Sequence, residues 1–232
     1  MNALELRGLR AGYDRIEVLH GVDLAVEAGT VTAVLGANGS GRTTMLSVVV
    51  GLHPASAGAV LMAGHDVTDA GAAGLARAGV CLIPEGRGVF PNLSVRENLR
   101  MVTHSGRPVG EIEAGTYERF PRLADRRSQL AGTLSGGEQQ MLALARGLAC
   151  DPAVLLLDEL SMGLAPVIVE DLYEQVAAIA ASGVTIVVVE QFARTVLGVA
   201  DRAAIMSHGR IQRIGTPAEI EPELIDAYLG SS

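Results

Sequence analysis

The chain has 232 residues, a length that suits one compact domain with an inserted or appended subdomain. It is 49 % hydrophobic but only 3 % aromatic, with no Trp, so its core has to be built from Ala, Val, Leu and Ile, and no apolar run reaches the roughly 18 residues of a membrane span. A formal net charge of −8 argues against a general nucleic-acid binder.

The opening, Met1–Arg10, carries Glu5, Arg7 and Arg10 and does not read as a signal peptide; the expectation is a cytoplasmic protein. Leu4/Leu6 and Val22/Leu24/Val26 alternate as antiparallel strands do, with Tyr13 in the first turn and Ala28-Gly29 in the second. Val31–Leu35, rich in β-branched residues, then breaks into Gly36-Ala37-Asn38-Gly39-Ser40-Gly41-Arg42-Thr43-Thr44, and a helical run Met45–Leu52 follows. Strand, glycine turn and helix bring backbone N–H groups together at the positive end of a helix, where an anion binds. The spacing is that of a phosphate-binding P-loop with Arg42 in the place of its lysine, and Thr43 would put a hydroxyl on Mg²⁺. Alone, the stretch also fits a glycine-rich turn that holds no ligand.

Next come a strand at Ala59–Met62, an Ala-rich helix at Ala70–Ala78 and a buried strand at Val80–Ile83 stopped by Pro84. Residues 86–150 hold half of the arginines and three helical patterns, Val95–His104, Gly110–Phe120 and Gly136–Cys150; Ser94 with Glu97 forms a capping-box start for the first. This block interrupts the strand-bearing chain (1–85 and 151–232) and is expected to be an inserted helical subdomain. The β–α alternation resumes with strand 153–157, helix 166–181, strand 184–189 and helix 192–200. Strands 203–207 and 210–214 and a short helical tail ending near Leu229 close the chain. The alternation predicts an α/β fold around a mainly parallel sheet. Cys81 and Cys150 read as small, buried or half-buried residues, and the five histidines show no metal-ligand spacing.

Two further stretches carry chemistry. Ala153–Glu159 is an apolar strand that delivers two carboxylates to the sheet edge where α/β folds bind ligands: Asp158 suits a hydrated Mg²⁺, and Glu159 suits polarising an attacking water. An acidic pair capping the next helix would look the same. Leu134-Ser135-Gly136-Gly137-Glu138 opens a helix with small residues, the composition of an anion nest and equally of an ordinary cap.

Together these segments resemble the ATP-binding cassette (ABC) ATPases, and the resemblance covers the whole chain. Residues 36–44 are similar to Walker A, 134–138 to the ABC signature, 153–159 to Walker B and 161–166 (S-M-G-L-A-P) to the loop after it. The resemblance implies a P-loop NTPase core with an N-terminal antiparallel β subdomain and the inserted helical one. It implies ATP and Mg²⁺ as ligands, with Tyr13 stacking on adenine and Glu85 standing where most relatives carry a metal-side Gln. Gln191 stands where most carry the switch histidine. Ser135, Gly136, Gly137 and Glu138 would complete the nucleotide site of a second ABC subunit meeting this one head to tail.

Within the family, 84–99 (P-E-G-R-G-V-F-P-N-L-S-V-R-E-N-L), 161–166 and 188–193 (V-V-E-Q-F-A) resemble the ATP-binding subunits of branched-chain amino acid importers, and urea and amide importers look much the same. That implies membrane permeases as partners, contacted through 85–93, a solute-binding protein at one remove, and a place on the inner face of the cell membrane. The accessory C-terminal domain of some sugar importers is not expected. Three positions depart from the pattern: Arg42 for Lys, Leu160 for Pro and Phe192 for Asn. Arg42 keeps the positive charge on a longer, planar fork, which leaves two readings, a working ATPase and a nucleotide-binding subunit impaired in hydrolysis. A soluble ABC protein of DNA repair or translation fits poorly, since those generally carry two cassettes or long coiled-coil insertions.

Overall fold

The computed structural model describes residues 1–86, 88–102, 106–191 and 193–229. Two sheets organise it. In the first, β1 (Asn2–Tyr13), β2 (Ile16–Glu27), β4 (Ala57–Met62) and β5 (His65–Asp66) run antiparallel in the order β2-β1-β4-β5. Leu4, Leu6, Leu9 and Ala11 of β1 all face inward; the missed beat between Leu6 and Leu9 is a bulge in which Gly8 has φ 54°.

The second sheet takes β3 (Val31–Leu35), β6 (Val80–Ile83), β7 (Val154–Asp158), β8 (Thr185–Glu190), β9 (Arg202–Ser207) and β10 (Arg210–Gly215) in the order β10-β9-β3-β8-β7-β6. All pairings are parallel except β9 with β10. Its central strands are buried on both faces, as expected of parallel strands, and the period of two splits them between two cores. Val154 and Leu156 face the antiparallel sheet and the helix α1 (Arg42–Val49). Leu155 and Leu157 face the opposite layer, which includes α6 (Gly136–Ala149) and α7 (Pro166–Ala181).

Between β6 and β7 lie α3 (Val95–Arg100), α4 (Val109–Arg119), α5 (Pro121–Asp125), a 3₁₀ turn at Ala131–Thr133 and α6; α2 (Gly71–Arg77) precedes β6, and α8 (Ala193–Leu197) and α9 (Pro217–Leu229) come later. Val95, Leu99, Ile112 and Leu123 of this block share one continuous apolar cluster with Leu155, Leu157 and Val188 of the sheet. Among the described residues no helix is long and apolar enough to cross a membrane.

Several boundaries differ from the sequence reading for local reasons. Helix α1 begins at Arg42 and not at Met45, because Gly41 takes φ 105° at the N-cap and turns the chain straight into the helix. It stops at Val49, with Gly51 at φ 71°, so Leu52 is exposed rather than helical. The helix expected to end at Phe120 is followed at once by α5, since Pro121 cannot extend α4 but suits the first position of a new helix. Helix α3 ends at Arg100; the rest of the predicted stretch to His104 runs into positions outside the described residues. Phe192 also lies outside them.

Candidate nucleotide site

The P-loop leaves β3 at Leu35 and turns where a side chain would not fit. A Cβ on Gly36 would meet the Met206 carbonyl and lie 2.8 Å from Ser40 Oγ, while Gly39 has φ 79°. The loop closes on itself through Ser40 N–H donating to the Ala37 carbonyl (3.1 Å), and Gly209 N–H donates to the Ser40 carbonyl (2.8 Å) from the β9–β10 turn. The first-turn amides of α1 therefore stand at the rim of the loop with no carbonyl one turn earlier to receive them.

Strand β7 ends one residue later than the sequence pattern suggests, and that residue decides how the two acids differ. Asp158 is its last member, 5 % exposed, with Oδ1 shielded from solvent and without a partner among the described residues. Its carboxyl is pushed up to about 6, chiefly by burial and also by the charges of Glu159 and Glu85, against the downward pull of a hydrogen bond from Thr43 and of the Arg42 charge. Glu159 is the first residue past the strand. Its N–H still donates to the Val189 carbonyl (2.9 Å), but its φ of 49° swings the side chain out of the strand direction. A non-glycine residue held in that region stores strain on the order of 1 kcal/mol or more, a feature that clusters at functional sites.

That swing brings Glu159 to the P-loop. Arg42 Nη2 donates to Glu159 Oε1 at 2.9 Å and lies 3.4 Å from Asn38 Oδ1; the Arg42 and Glu159 side chains are only 5 % and 14 % exposed. Arg42 Nη1 is buried and has no acceptor among the described residues. A cavity of about 350 Å³ collects these groups: Asn38 to Thr44, Glu85, Glu159, Met162 and Gln191 all line it. A glycine loop with no room for a side chain at Gly36 and left-handed turns at Gly39 and Gly41, an unpaired guanidinium nitrogen and an unpaired buried carboxylate oxygen fit an anionic phosphate chain carrying a divalent cation.

Tyr13 and residues 135–138 do not line that cavity. Tyr13 ends β1 and is half exposed, with its ring 4.4 Å from that of His53 and tilted 34° to it. The His53 Nε2–H donates to the Gly12 carbonyl at 2.8 Å. Nothing in the histidine spacing points to this pairing. Ser135 caps α6: its Oγ accepts from Glu138 N–H, and Glu138 Oε2 accepts from Ser135 N–H (2.9 Å). The other oxygen of Glu138 receives Arg126 Nε at 2.6 Å, so this carboxylate is engaged within the chain. Gly137 is buried where a Cβ would run into Ile168 of α7. Ser135 is exposed and Gly136 half-exposed.

One group escapes the sequence reading. Glu190, just before Gln191, is 1 % exposed and ties three elements together. It accepts from Tyr173 Oη of α7 (2.6 Å), and from Ser161 N–H and Oγ (both 2.9 Å) at the start of the loop after β7. Burial pushes its carboxyl upward, and those three donors pull it back. Leu160, the departure from Pro, is fully buried and belongs to the core.

A strand–glycine loop–helix phosphate cradle, facing an acidic pair at the end of a parallel strand, defines a P-loop nucleoside-triphosphate site. The family model for ABC transporters matches residues 19–161, and the chain belongs to that family. It is 40 % identical over 223 residues to the high-affinity branched-chain amino acid transport ATP-binding protein BraG of Pseudomonas aeruginosa, covering 94 % of this chain and 95 % of the relative. Over 236 residues it is 31 % identical to LptB, the lipopolysaccharide export system ATP-binding protein of Escherichia coli K12, covering 99 % and 98 %. Among solved structures, the ADP conformation of MJ1267, an ATP-binding cassette of an ABC transporter, superposes with a TM-score of 0.88 at 25 % identity over the whole of both chains. The ABC cassette fold expected from the motifs is the one observed.

Proposed function

We propose that this chain is the ATP-binding and ATP-hydrolysing subunit of an importer of branched-chain or related amino acids. The observation that carries the ATPase part is the cavity lined by Asn38–Thr44, Glu85, Glu159 and Gln191, beside the unpaired oxygen of Asp158. The importer part rests on the 40 % identity to BraG, which outweighs the 31 % identity to the exporter subunit LptB.

In this reading the amides and glycines of 36–44 grip the triphosphate, Tyr13 stacks on adenine, and Thr43, Asp158 and Glu85 hold Mg²⁺ with its waters. Once bound, the ion would offset negative charge on the phosphates. Glu159 takes the proton of the attacking water, and Gln191 orients it. Residues 86–150 act as the helical subdomain, presenting Ser135–Glu138 to the nucleotide held by a second ABC subunit. ATP binds the closed pair better than the open one, and that differential affinity drives closure. Permeases on the inner face of the membrane receive the motion through 85–93, with a solute-binding protein beyond them. The test is Mg²⁺-dependent ATP hydrolysis by the purified subunit with its ATPase partner: Glu159→Gln is expected to abolish it, and unchanged turnover would remove Glu159 as the base.

The Arg42–Glu159 ion pair favours a second reading in which this subunit binds ATP and leaves most turnover to its partner. Arg42→Lys separates the two, since a large gain in hydrolysis supports the impaired site and no change supports a working one.

A further inference from the structure

The arginine that stands in the P-loop, where the motif has lysine, makes a contact that a lysine's single ammonium group is not shaped to share. Its Nη2 is committed to Glu159 at 2.9 Å, and the same nitrogen lies near Asn38. Its Nη1 is cut off from solvent with no acceptor among the described residues. A buried guanidinium donor with no partner is costly, and a phosphate oxygen is the acceptor its planar fork fits best. Because Nη1 is enclosed, an incoming oxygen meets it only if the guanidinium turns, and turning takes Nη2 off Glu159.

We infer that Arg42 is a positioning residue for Glu159 that works by competition: one guanidinium holds the carboxylate while the loop is empty and is surrendered to the phosphates when nucleotide binds. The inference rests on the ATP-site reading above. The acid just past the end of β7 is thereby kept paired in the empty chain, and is released to act on water only by the ligand whose cleavage it assists. Part of the binding free energy therefore goes into breaking the ion pair. The structure supports the mutual exclusion through three features: the short Arg42–Glu159 contact, the low exposure of both side chains, and the left-handed turn at Glu159 that aims the carboxylate across the loop.

The test is a double-mutant cycle on the purified full chain, read as affinity for Mg·ADP and for a non-hydrolysable Mg·ATP analogue by titration calorimetry, so that no turnover enters. Glu159→Gln in the Arg42 background is expected to tighten binding about tenfold, the low end of the couplings found for close charge pairs. In the Arg42→Lys background the same change is expected to tighten binding less than about twofold, because the shorter point charge is not shared between the two sites. Glu159→Asn, which tolerates the left-handed backbone, repeats the measurement if the Glu159→Gln variant folds poorly. Equal affinities of the parent and the Glu159→Gln variant overturn the competition. Equal tightening in both backgrounds assigns the effect to relief of carboxylate–phosphate repulsion and overturns the part given to Arg42. If neither the parent nor any variant binds nucleotide, the ATP-site reading itself falls.

Discussion

Asp158 is the residue whose cost to the fold is easiest to measure. Its carboxyl stands at about 6, against an ordinary 3.8, chiefly because it is buried, so the folded chain holds its proton more tightly than the unfolded chain does. Below pH 3.8 both states are protonated and the group costs nothing. As pH rises from 3.8 to about 6 the unfolded chain ionises first, stability falls, and above 6 the cost is constant. The interval corresponds to about 3 kcal/mol, which water at the cavity rim trims to about 2 kcal/mol. Asp158→Asn removes the charge at nearly constant shape. In urea denaturation followed by circular dichroism, with EDTA present, it is expected to exceed the parent by about 2 kcal/mol at pH 7.5, on the order of 4–8 °C in Tm. The two proteins should converge near pH 4. Mg·ATP should narrow the gap or reverse the order, since mass action stabilises the parent more than a variant that has lost one ligand to the ion. An Asn variant that is less stable than the parent, or whose advantage does not vary between pH 4 and 7, would refute the account of Asp158 as a carboxylate held ready for a cation.

Proton and cation compete for that same carboxylate, so the affinity for Mg·nucleotide is expected to fall about tenfold per pH unit below pH 6 and to level off above it, measured by titration at fixed ionic strength. Gly137→Ala drives a methyl into Ile168 and is expected to cost about 1–3 kcal/mol of stability, restored in large part by Ile168→Ala; an additive pair would deny the contact. Tyr173→Phe strips a donor from the buried Glu190 carboxylate and should destabilise the chain by about 1–3 kcal/mol in thermal melts at pH 7.5. His53→Ala leaves the Tyr13 ring without its neighbour, and nucleotide affinity is expected to fall severalfold in the same titration, a smaller loss than for Tyr13→Ala.

Most of the architecture is legible in the sequence because its signals are local. Short apolar runs mark β3, β6, β7 and β8, the glycine spacing marks the loop, and Ser135 with Glu138 marks the start of α6. Periodicity says less where backbone conformation intervenes. The early start of α1 depends on Gly41 adopting φ 105°, and the extra helix α5 depends on Pro121 acting as a beginning rather than a stop. The neighbourhood of Cys81 and Cys150 is not legible at all. The two are half-buried thiols, not joined in a disulfide, one on β6 and one at the end of α6, and in the sequence each stands solitary. Yet the Cys81 thiol is raised first by its hydrogen bond with Cys150, and then by burial.

The least legible feature is the most consequential for function, and the reason is geometric. Spacing assigns a role to each of three charged residues drawn from two stretches, Arg42, Asp158 and Glu159, as though each faced the ligand alone. Whether two of them face each other depends on a backbone angle at Glu159 and on the reach of a guanidinium, neither of which a motif encodes. Glu190 teaches the same lesson from the other side. It sits one residue past the strand expected at 184–189, in a stretch whose resemblance gives it no role, yet its two oxygens join the loop after β7 and the helix α7 to the end of β8. The loop at Ser161 is thus tied to the backbone just before Gln191 through one buried carboxylate, beside the bond from Glu159 N–H to the Val189 carbonyl. Coupling of that kind needs a contact to carry it, and here the contact is short, satisfied on both oxygens and shielded from water.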